Sequence, residues 1–292
     1  MLDFRLETFL AVCREMNFTR AAEALNLTQP AVSQHIRYLE QHYGTPLFYR
    51  ERKRLTLTPA GEILRTCLAS LHNDKNTIRK RMQESMAAKK VLTFGVTMTV
   101  GEYAIVPALA RLIKAHPDTD FHIRYGNTQT LLAALEEGSI DFAIVEGYFD
   151  ASRYHTRLYR REDYIAVAAA DHRFRQPVRR LRDLTGERLL VREPGSGTRS
   201  ILERELMQVS YSTAAFSRTI CISSFPVIRA LTAANCGISF LYEAVVRGSP
   251  EIGSFTCPPL TGRHELNVVF LQHTGAGSLA REFVAPVMEQ FP

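Results

Sequence analysis

The chain has 292 residues, of which 46% are hydrophobic, so it is long enough for a small domain and a larger one, each with its own core. Its formal charge is +6, and residues 1–90 hold 15 Lys and Arg against 9 Asp and Glu, whereas residues 91–292 hold 21 of each kind. This local excess favours a polyanion such as nucleic acid as the partner of the N-terminal part. The five cysteines form no C-x-x-C pair, and their spacing suggests neither a zinc cluster nor a disulfide framework.

The chain begins with a pattern of three short helices. Residues 3–16 are predicted to form the first helix, and Thr19 is expected to cap a second helix that ends near Leu25. After a turn, Thr28 is the expected cap of a third helix, because proline follows within its first turn and favours that position. Two helices joined by a tight turn form a helix-turn-helix.

The third helix has one apolar and one polar face. Val32, Ile36 and Leu39 recur at helical spacing and are expected to face the core. The residues left on the opposite face are Gln29, Pro30, Ser33, Gln34 and Arg37, and their side chains include amide, hydroxyl and guanidinium groups. Gln can bond an adenine edge, Arg a guanine edge or a phosphate, and Ser either, so this face suits a DNA major groove. The alternative is an ordinary helical bundle in which the same side chains are only solvated.

A basic hairpin is predicted after the third helix. Leu55 and Leu57 alternate with threonines, as in a short half-buried strand. The residues just before this strand include four cations, Arg50, Arg52, Lys53 and Arg54. A basic hairpin beside a helix-turn-helix is typical of the wing of a winged helix, where cations touch phosphates or enter the minor groove.

These N-terminal features resemble one family of regulators. The residues from Phe18 to Leu57 and just beyond contain, in order, AAEALNLTQPAVSQHIRYLE, GTPLFYR and LTLTPAGE. This stretch closely resembles the DNA-binding domain of LysR-type transcriptional regulators. The resemblance implies a regulator that binds double-stranded promoter DNA as a homodimer or homotetramer, acts with RNA polymerase and responds to a small-molecule effector. The DNA contacts expected on this basis are Thr28, Gln29, Pro30, Ser33, Gln34, Arg37, Arg50, Arg52, Lys53 and Arg54.

A long helix is predicted after the hairpin. Thr58 is expected to cap it, Pro59 to begin it, and the helix to end near Ala88. Such a helix spans ~45 Å at about 1.5 Å per residue. Its apolar residues form a broken seam, Leu64, Cys67, Leu68, Leu71, Ile78, Met82 and Met86. The seam favours pairing with the same helix of a second subunit, as the resemblance also implies, and the alternative is that the helix folds back on its own chain.

From residue 89 onward, predicted strands and helices alternate. The first group has strands at residues 91–97, 121–125 and 141–145, and helices at 102–115 and 131–137. The second group has strands at 164–169, 188–191, 219–222 and 238–241, and helices at 198–207 and 225–234. A strand at 266–271 and a helix at 278–289 close the chain. This alternation predicts an α/β fold with parallel sheets.

Two such groups predict two lobes with a cleft between them. The resemblance to LysR-type proteins covers this part too, and implies two Rossmann-like lobes of the periplasmic-binding-protein type. The domains expected are a winged helix-turn-helix at 1–58, a linker and dimerisation helix at 59–89 and an effector-binding domain at 90–292. In that domain, lobe I comprises 90–145 and 268–292, lobe II comprises 147–267, and the crossings lie at 145–147 and 268–272.

The expected binding site lies where strands end and helices begin. Loops with small hydroxyl residues and glycines follow several predicted strands, and backbone N–H groups at helix N-termini favour anions. We therefore expect an acyl or inorganic anion to bind between the lobes as co-inducer or co-repressor, with no other cofactor. Each loop taken alone is also compatible with an ordinary turn. The expected effector-binding residues are Thr97, Met98, Thr99, Val100, Asn127, Thr128, Glu146, Gly195, Ser196, Gly197, Thr198, Arg199, Ser223 and Ser224.

Two other classes of function fit the sequence less well. The run around Ser196 lacks the glycines of a nucleophile elbow, and neither a G-x-x-x-x-G-K nor an H-E-x-x-H motif occurs, so we expect neither an enzyme nor a metal site. A solute-binding transport protein shares the two-lobed pattern, but here a winged helix precedes it and no signal peptide is apparent. No run of about eighteen apolar residues occurs, and we expect a cytoplasmic protein without a membrane partner.

Overall fold

The computed structural model describes residues 3–51, 54–87, 90–257 and 260–271. The chain divides into two units, Met1–Lys75 and Asn76–Pro292. The elements that lie wholly in the first unit are α1 (Phe4–Glu15), α2 (Phe18–Ala24), α3 (Gln29–Tyr43), β1 (Phe48–Glu51) and β2 (Arg54–Leu57). The long helix α4 (Pro59–Ala87) runs across the boundary between the units.

The helix caps agree with the sequence pattern at two of three positions. The hydroxyl of Thr28 caps α3, because it accepts from the backbone amide three residues later at 3.4 Å. Thr58 precedes α4, and its Oγ1 likewise accepts from the amide three residues later at 3.0 Å. The predicted cap Thr19 is wrong: the side chain of Asn17 accepts from the Thr19 amide at 2.8 Å and caps α2 instead.

A small core holds the first unit together. The three helical positions predicted to face inward, Val32, Ile36 and Leu39, are buried. Buried residues of α1, α2, the hairpin and the start of α4 join them in one cluster, including Phe9, Val12, Ala21, Leu47, Phe48 and Leu68. β1 and β2 pair antiparallel, so the predicted winged helix-turn-helix is confirmed.

The apolar seam of α4 has two environments. Leu68 is buried in the core of the first unit. Farther along, Leu71, Ile78 and Met82 are 51%, 60% and 66% exposed. The later part of the seam therefore presents apolar surface to solvent in a single chain.

The second unit is built on a mixed sheet of nine strands among the described residues. They are β3 (Lys90–Thr97), β4 (Thr119–Gly126), β5 (Phe142–Glu146), β6 (Tyr154–Ala169), β7 (Arg188–Val191), β8 (Arg218–Cys221), β9 (Ile238–Tyr242), β10 (Ile252–Phe255) and β11 (Gly262–Leu271). Their order is β4-β3-β5-β11-β6-β9-β7-β8, with β10 also paired to β6. Pairs within β4-β3-β5 and β9-β7-β8 are parallel as predicted, but every pair that involves β6 or β11 is antiparallel.

The two long strands β6 and β11 join the halves of this sheet. We call β3, β4 and β5 the first half, and β7, β8, β9 and β10 the second half. β6 pairs with β11 from Tyr154 to Tyr164 and then with β9, so the chain enters the second half along β6. The crossing predicted at residues 145–147 is therefore misplaced. The return follows β11, whose register shifts between Leu266 and Asn267, just before the crossing predicted at 268–272.

Helices connect the strands. They are α5 (Met98–Tyr103), α6 (Val106–Ala115), α7 (Thr128–Glu136), α8 (Gly197–Gln208), α9 (Phe225–Ala233) and α10 (Glu243–Val246). The single helix predicted at 102–115 is thus two helices, because helical hydrogen bonding is interrupted at Ala104 and Ile105 and the next helix begins at Val106, with Pro107 in its first turn. The predicted closing helix at 278–289 lies outside the described residues.

Candidate functional site

A buried acidic side chain lies where the two halves of the sheet meet. Glu146 ends β5 and is only 2% exposed. Its carboxylate accepts hydrogen bonds from the hydroxyls of Thr97, Thr99 (2.9 Å) and Thr198 (3.3 Å). Thr97 and Thr99 belong to β3 and α5, on the side of the first half, whereas Thr198 lies in the first turn of α8, in the second half. One carboxylate therefore joins hydroxyls from both halves.

The backbone around Glu146 also contacts both halves. Thr128 Oγ1, at the start of α7, donates to the Glu146 carbonyl at 2.8 Å. From the other half, Gly197 lies so close that a Cβ there would be 2.1 Å from the same carbonyl oxygen. The amide of Gln129 donates to the carbonyl of Gly195 at 3.2 Å, a second link between α7 and the loop before α8. We call this close contact of the halves the closed arrangement, and only glycine at position 197 permits it, because a Cβ there would clash with the Glu146 carbonyl.

The electrostatics of the site centre on Glu146. Burial raises the pKa of its carboxyl above the ordinary value, while the threonine hydroxyls and the charge of Arg192 act in the opposite direction. Arg192 is itself buried, pairs with Glu193 at 2.9 Å and lies over the ring of Phe225 at 4.0 Å from the centroid. The site therefore combines a proton-accepting carboxyl group with hydroxyl donors and a cation.

The structure brings together part of the predicted effector set. The residues that converge on Glu146 are Thr97, Thr99, Thr128, Gly197 and Thr198. The sequence pattern placed these hydroxyls around a bound anion. In the closed arrangement Thr97, Thr99 and Thr198 instead donate to the carboxyl group of Glu146, and Thr128 donates to its backbone carbonyl.

The other predicted effector residues have different surroundings. Three stand immediately before helices, Asn127, Ser196 and Ser224. Two belong to the hydrophobic core or pack against it, Val100 and Met98. The guanidinium of Arg199 is bound to Glu203 at 2.7 Å, and Ser223 is exposed. Gly195 has a φ of +86°, which favours glycine at the turn before α8.

Sequence patterns missed three buried polar residues of this region. Arg192 follows β7, and Tyr164 and Tyr242 lie opposite each other on β6 and β9 with ring centroids 5.5 Å apart. Tyr164 Oη donates to the Thr198 carbonyl at 2.9 Å. The signal that could have found Arg192 and Tyr242 is their position at the carboxyl ends of predicted strands, where open α/β sheets bind ligands.

The predicted DNA contacts of the first unit are mostly exposed. Those exposed on or just before α3 are Thr28, Gln29, Pro30, Gln34 and Arg37. The prediction that Ser33 shares this open face is wrong, because Ser33 is buried and its Oγ accepts from Gln29 Nε2 at 2.9 Å. Of the four cations predicted for the wing, two lie on β1 and β2, Arg50 and Arg54. The other two, Arg52 and Lys53, lie outside the described residues.

The surroundings of the site include an open cavity. A volume of about 430 Å³ lies beside Thr128 and Gly195 and extends to Arg153 and Tyr154.

Among the described residues, no group of His, Cys, Asp or Glu side chains is arranged to hold a metal ion. No helix within the described ranges combines the length and hydrophobicity needed to cross a bilayer.

Comparisons with known proteins follow the same division of the chain. The family model described as bacterial regulatory helix-turn-helix protein, lysR family, matches residues 4–62, and the LysR substrate binding domain matches residues 87–292. The regulator CysL of Bacillus subtilis is 29% identical over 245 residues, which cover 83% of this chain and 81% of CysL. The regulator CfxR of Cupriavidus necator is 32% identical over 245 residues, which cover 81% of this chain and 74% of CfxR.

A solved full-length protein shows the same fold. LysG from Corynebacterium glutamicum, with bound effector Arg, has a TM-score of 0.57 and 18% identity, covering 99% of this chain and 97% of LysG. The substrate-binding model alone matches more than half of the chain, and the helix-turn-helix model matches the winged helix. The chain therefore belongs to the LysR family of DNA-binding transcriptional regulators, whose C-terminal domain binds a small-molecule effector.

Proposed function

We propose that this regulator binds promoter DNA through α3 and the wing, and that a small anionic effector bound at Glu146 controls its activity at the promoter. The observation that carries the proposal is the convergence of three hydroxyls, from both halves of the sheet, on one buried acidic group. A ligand in this place contacts both halves at once. Because it binds the closed arrangement better than an open one, it shifts the conformational equilibrium of the regulator.

The sign of the effector charge follows from the donors around Glu146. Three threonines supply hydroxyls, Arg192 supplies positive charge, and α8 begins at the site with the positive end of its dipole. These groups favour an anion. An ionised Glu146 would repel it, so an anion beside this carboxyl requires a proton shared between the two. The raised pKa of Glu146 makes protonation of this side chain the less costly solution.

A cationic effector is the second candidate, because an ionised Glu146 would pair with an ammonium or guanidinium group. The effector bound to LysG is arginine, which carries both a carboxylate and a cation and does not decide between them. The substitution Glu146→Gln separates the two candidates. A glutamine amide donates to an anion without needing a proton, but it cannot pair with a cation.

The remaining partners are part of the same proposal. The exposed seam residues of α4 support a homodimer through this helix, with the winged helix at 1–58, the linker at 59–89 and the effector-binding domain at 90–292. Family membership supports a homotetramer of such dimers and contact with RNA polymerase. Since its partner is promoter DNA, we place its action in the cytoplasm.

The experiment that tests the site is a thermal-shift titration of the full chain. A panel of small anions, including acetate, bicarbonate, sulfate and phosphate, is compared at matched ionic strength, because a ligand of the native state raises the melting temperature. For the anion that does so, Thr99→Val and Thr198→Val are each expected to lose ~1 to 3 kcal/mol of binding free energy. The reason is that each hydroxyl has a single proton, which turns from the protonated Glu146 carboxyl group to the anion, and an anion oxygen in a place without water then lacks this donor.

Thr232→Val is the matched control for these substitutions. Thr232 is equally buried, but its hydroxyl donates to the Ile228 carbonyl within α9 at 2.8 Å and not to Glu146. This variant should bind the anion with unchanged affinity, and none of the three variants should change DNA affinity without effector. Full affinity in both Thr99→Val and Thr198→Val would show that the anion binds elsewhere.

A further inference from the structure

The carboxyl end of β9 carries a buried hydroxyl that takes no part in the hydrogen bonds around Glu146. Tyr242 is the last residue of β9 and is fully buried. Among the described residues, its Oη has no hydrogen-bond partner. Buried hydroxyls are nearly always hydrogen-bonded, because leaving one unpaired destabilises the fold. This position therefore points to a partner from outside the chain.

The register of the sheet places this hydroxyl beside the Glu146 site. Tyr242 is paired with Tyr164 of the antiparallel strand β6, so both side chains project from the same face of the sheet. Their rings meet edge to face with centroids 5.5 Å apart. Tyr164 Oη donates to the Thr198 carbonyl at 2.9 Å, and Thr198 Oγ1 donates to Glu146. One ring thus separates Tyr242 from the loop that joins the two halves.

The surroundings of Tyr242 also fit a donor to a ligand. Burial raises the pKa of Tyr242 well above its usual value, and among the neighbouring acidic groups Glu146 contributes most to the further rise. The hydroxyl therefore keeps its proton at neutral pH and remains a donor. In addition, β9 is parallel to β7, and Tyr242 stands at the carboxyl end of β9, where open α/β sheets bind ligands.

We propose that Tyr242 is an effector-binding residue whose hydroxyl donates a hydrogen bond to an oxygen of the small anion bound at Glu146. The inference rests on the proposed function of the Glu146 site and adds a contact from β9 to those from α5 and α8. It also assigns Tyr242 a part in specificity. A ligand with an oxygen at this position pairs the hydroxyl, whereas a ligand without one leaves it buried and unpaired.

The test compares Tyr242→Phe with the wild-type full chain, because this substitution removes only the hydroxyl. Both are melted in sodium acetate, bicarbonate, sulfate or phosphate, with sodium chloride at matched ionic strength as reference. In chloride, the variant should melt at the same temperature as the wild type or higher, since it lacks an unpaired buried group. The anion that stabilises the wild type should bind the variant roughly tenfold more weakly, as expected for a lost bond to a charged ligand.

Tyr159→Phe is the matched control. Tyr159 is also buried on β6, but its hydroxyl donates to a protein acceptor, the Ala104 carbonyl, at 3.3 Å. This variant should melt at a lower temperature than the wild type and bind the anion with unchanged affinity. The two tyrosine substitutions are therefore expected to change stability and anion binding in different ways.

The outcomes separate this inference from the proposed site. If Tyr242→Phe binds the anion as tightly as the wild type while Thr198→Val does not, the role of Tyr242 is wrong and the Glu146 site stands. If Tyr242→Phe melts well below the wild type in chloride or fails to fold, its hydroxyl has a partner within the protein and the inference is again wrong. If none of the four anions stabilises the wild type, the anion site fails and the inference fails with it.

Discussion

At the scale of single residues, Gln29 and Ser33 show how the DNA-contacting surface departs from its sequence pattern. The pattern places both on the polar face of α3. The structure leaves Gln29 exposed and buries Ser33, whose hydroxyl accepts from Gln29 Nε2 at 2.9 Å. A side chain held in this way has less rotamer freedom to lose when it meets a base edge. We therefore expect Ser33 to position Gln29 rather than to read a base itself.

This expectation gives a prediction for DNA binding. Gln29→Ala should cost ~1 to 3 kcal/mol of affinity for the true operator and little for random DNA, because it removes a base contact. Ser33→Ala should cost part of that amount, and the double variant no more than Gln29→Ala alone, since the two residues act as a unit. Titrations of an operator and a random duplex at fixed salt measure these differences. Additive losses would show that Ser33 contacts DNA independently.

The effector site shows which residues the sequence could and could not identify. Hydroxyl residues at strand ends were predictable, because ligands of open α/β sheets bind there. Their common acceptor was not, since Thr99 and Thr198 reach Glu146 across 47 and 52 positions of the chain. The unpaired hydroxyl of Tyr242 was also beyond prediction, because it depends on the pairing of β6 with β9.

At the scale of elements, the exposed seam of α4 predicts a contact between two subunits. Leu71, Ile78 and Met82 recur at helical spacing and remain exposed in a single chain, and packing against a second α4 would remove them from water. Ile78→Glu should break the dimer, because it buries a charge in the seam. Thr66→Glu is the matched control, since helical periodicity places the same new charge on the opposite side of α4.

Sedimentation velocity at micromolar concentration distinguishes these variants. Ile78→Glu should sediment as a monomer, and its operator affinity should fall because two half-sites are no longer bound jointly. Thr66→Glu should sediment as the wild type does. A dimer that survives Ile78→Glu unchanged would place the subunit contact outside this helix.

The elements also differ in how far the sequence could predict them. The parallel pairs β3-β4 and β7-β8 follow from the alternation of strands and helices. β6 begins at Tyr154, whereas the sequence predicted a strand from residue 164. The pattern missed the early part of β6 because exposed charged residues are frequent there and no apolar run occurs. Its antiparallel partner β11 is far away in sequence, as Arg161 and Glu265 show at 104 positions apart. Periodicity within a short window contains no information on such pairing.

At the scale of the whole molecule, Glu146 couples effector binding to the protonation of its own carboxyl group. A carboxyl whose pKa is raised by folding contributes stability that is fully present below its unfolded-state pKa and is lost as the pH rises through the raised value. The binding of an anion beside the protonated carboxyl has the same pH dependence. Its affinity should fall as the pH rises, by at most about tenfold per pH unit. Effector binding is therefore expected to take up a proton.

The number of protons taken up on anion binding tests this coupling most directly. It is measured by calorimetric titration of the full chain in buffers of different ionisation enthalpy, at several pH values. With the anion that stabilises the wild type, uptake should grow towards one proton as the pH rises through the raised pKa of Glu146, while affinity falls. Glu146→Gln should bind the same anion without this uptake and with an affinity independent of pH. Proton uptake that persists in Glu146→Gln, or complete loss of binding in this variant, would contradict a proton shared between Glu146 and an anionic effector.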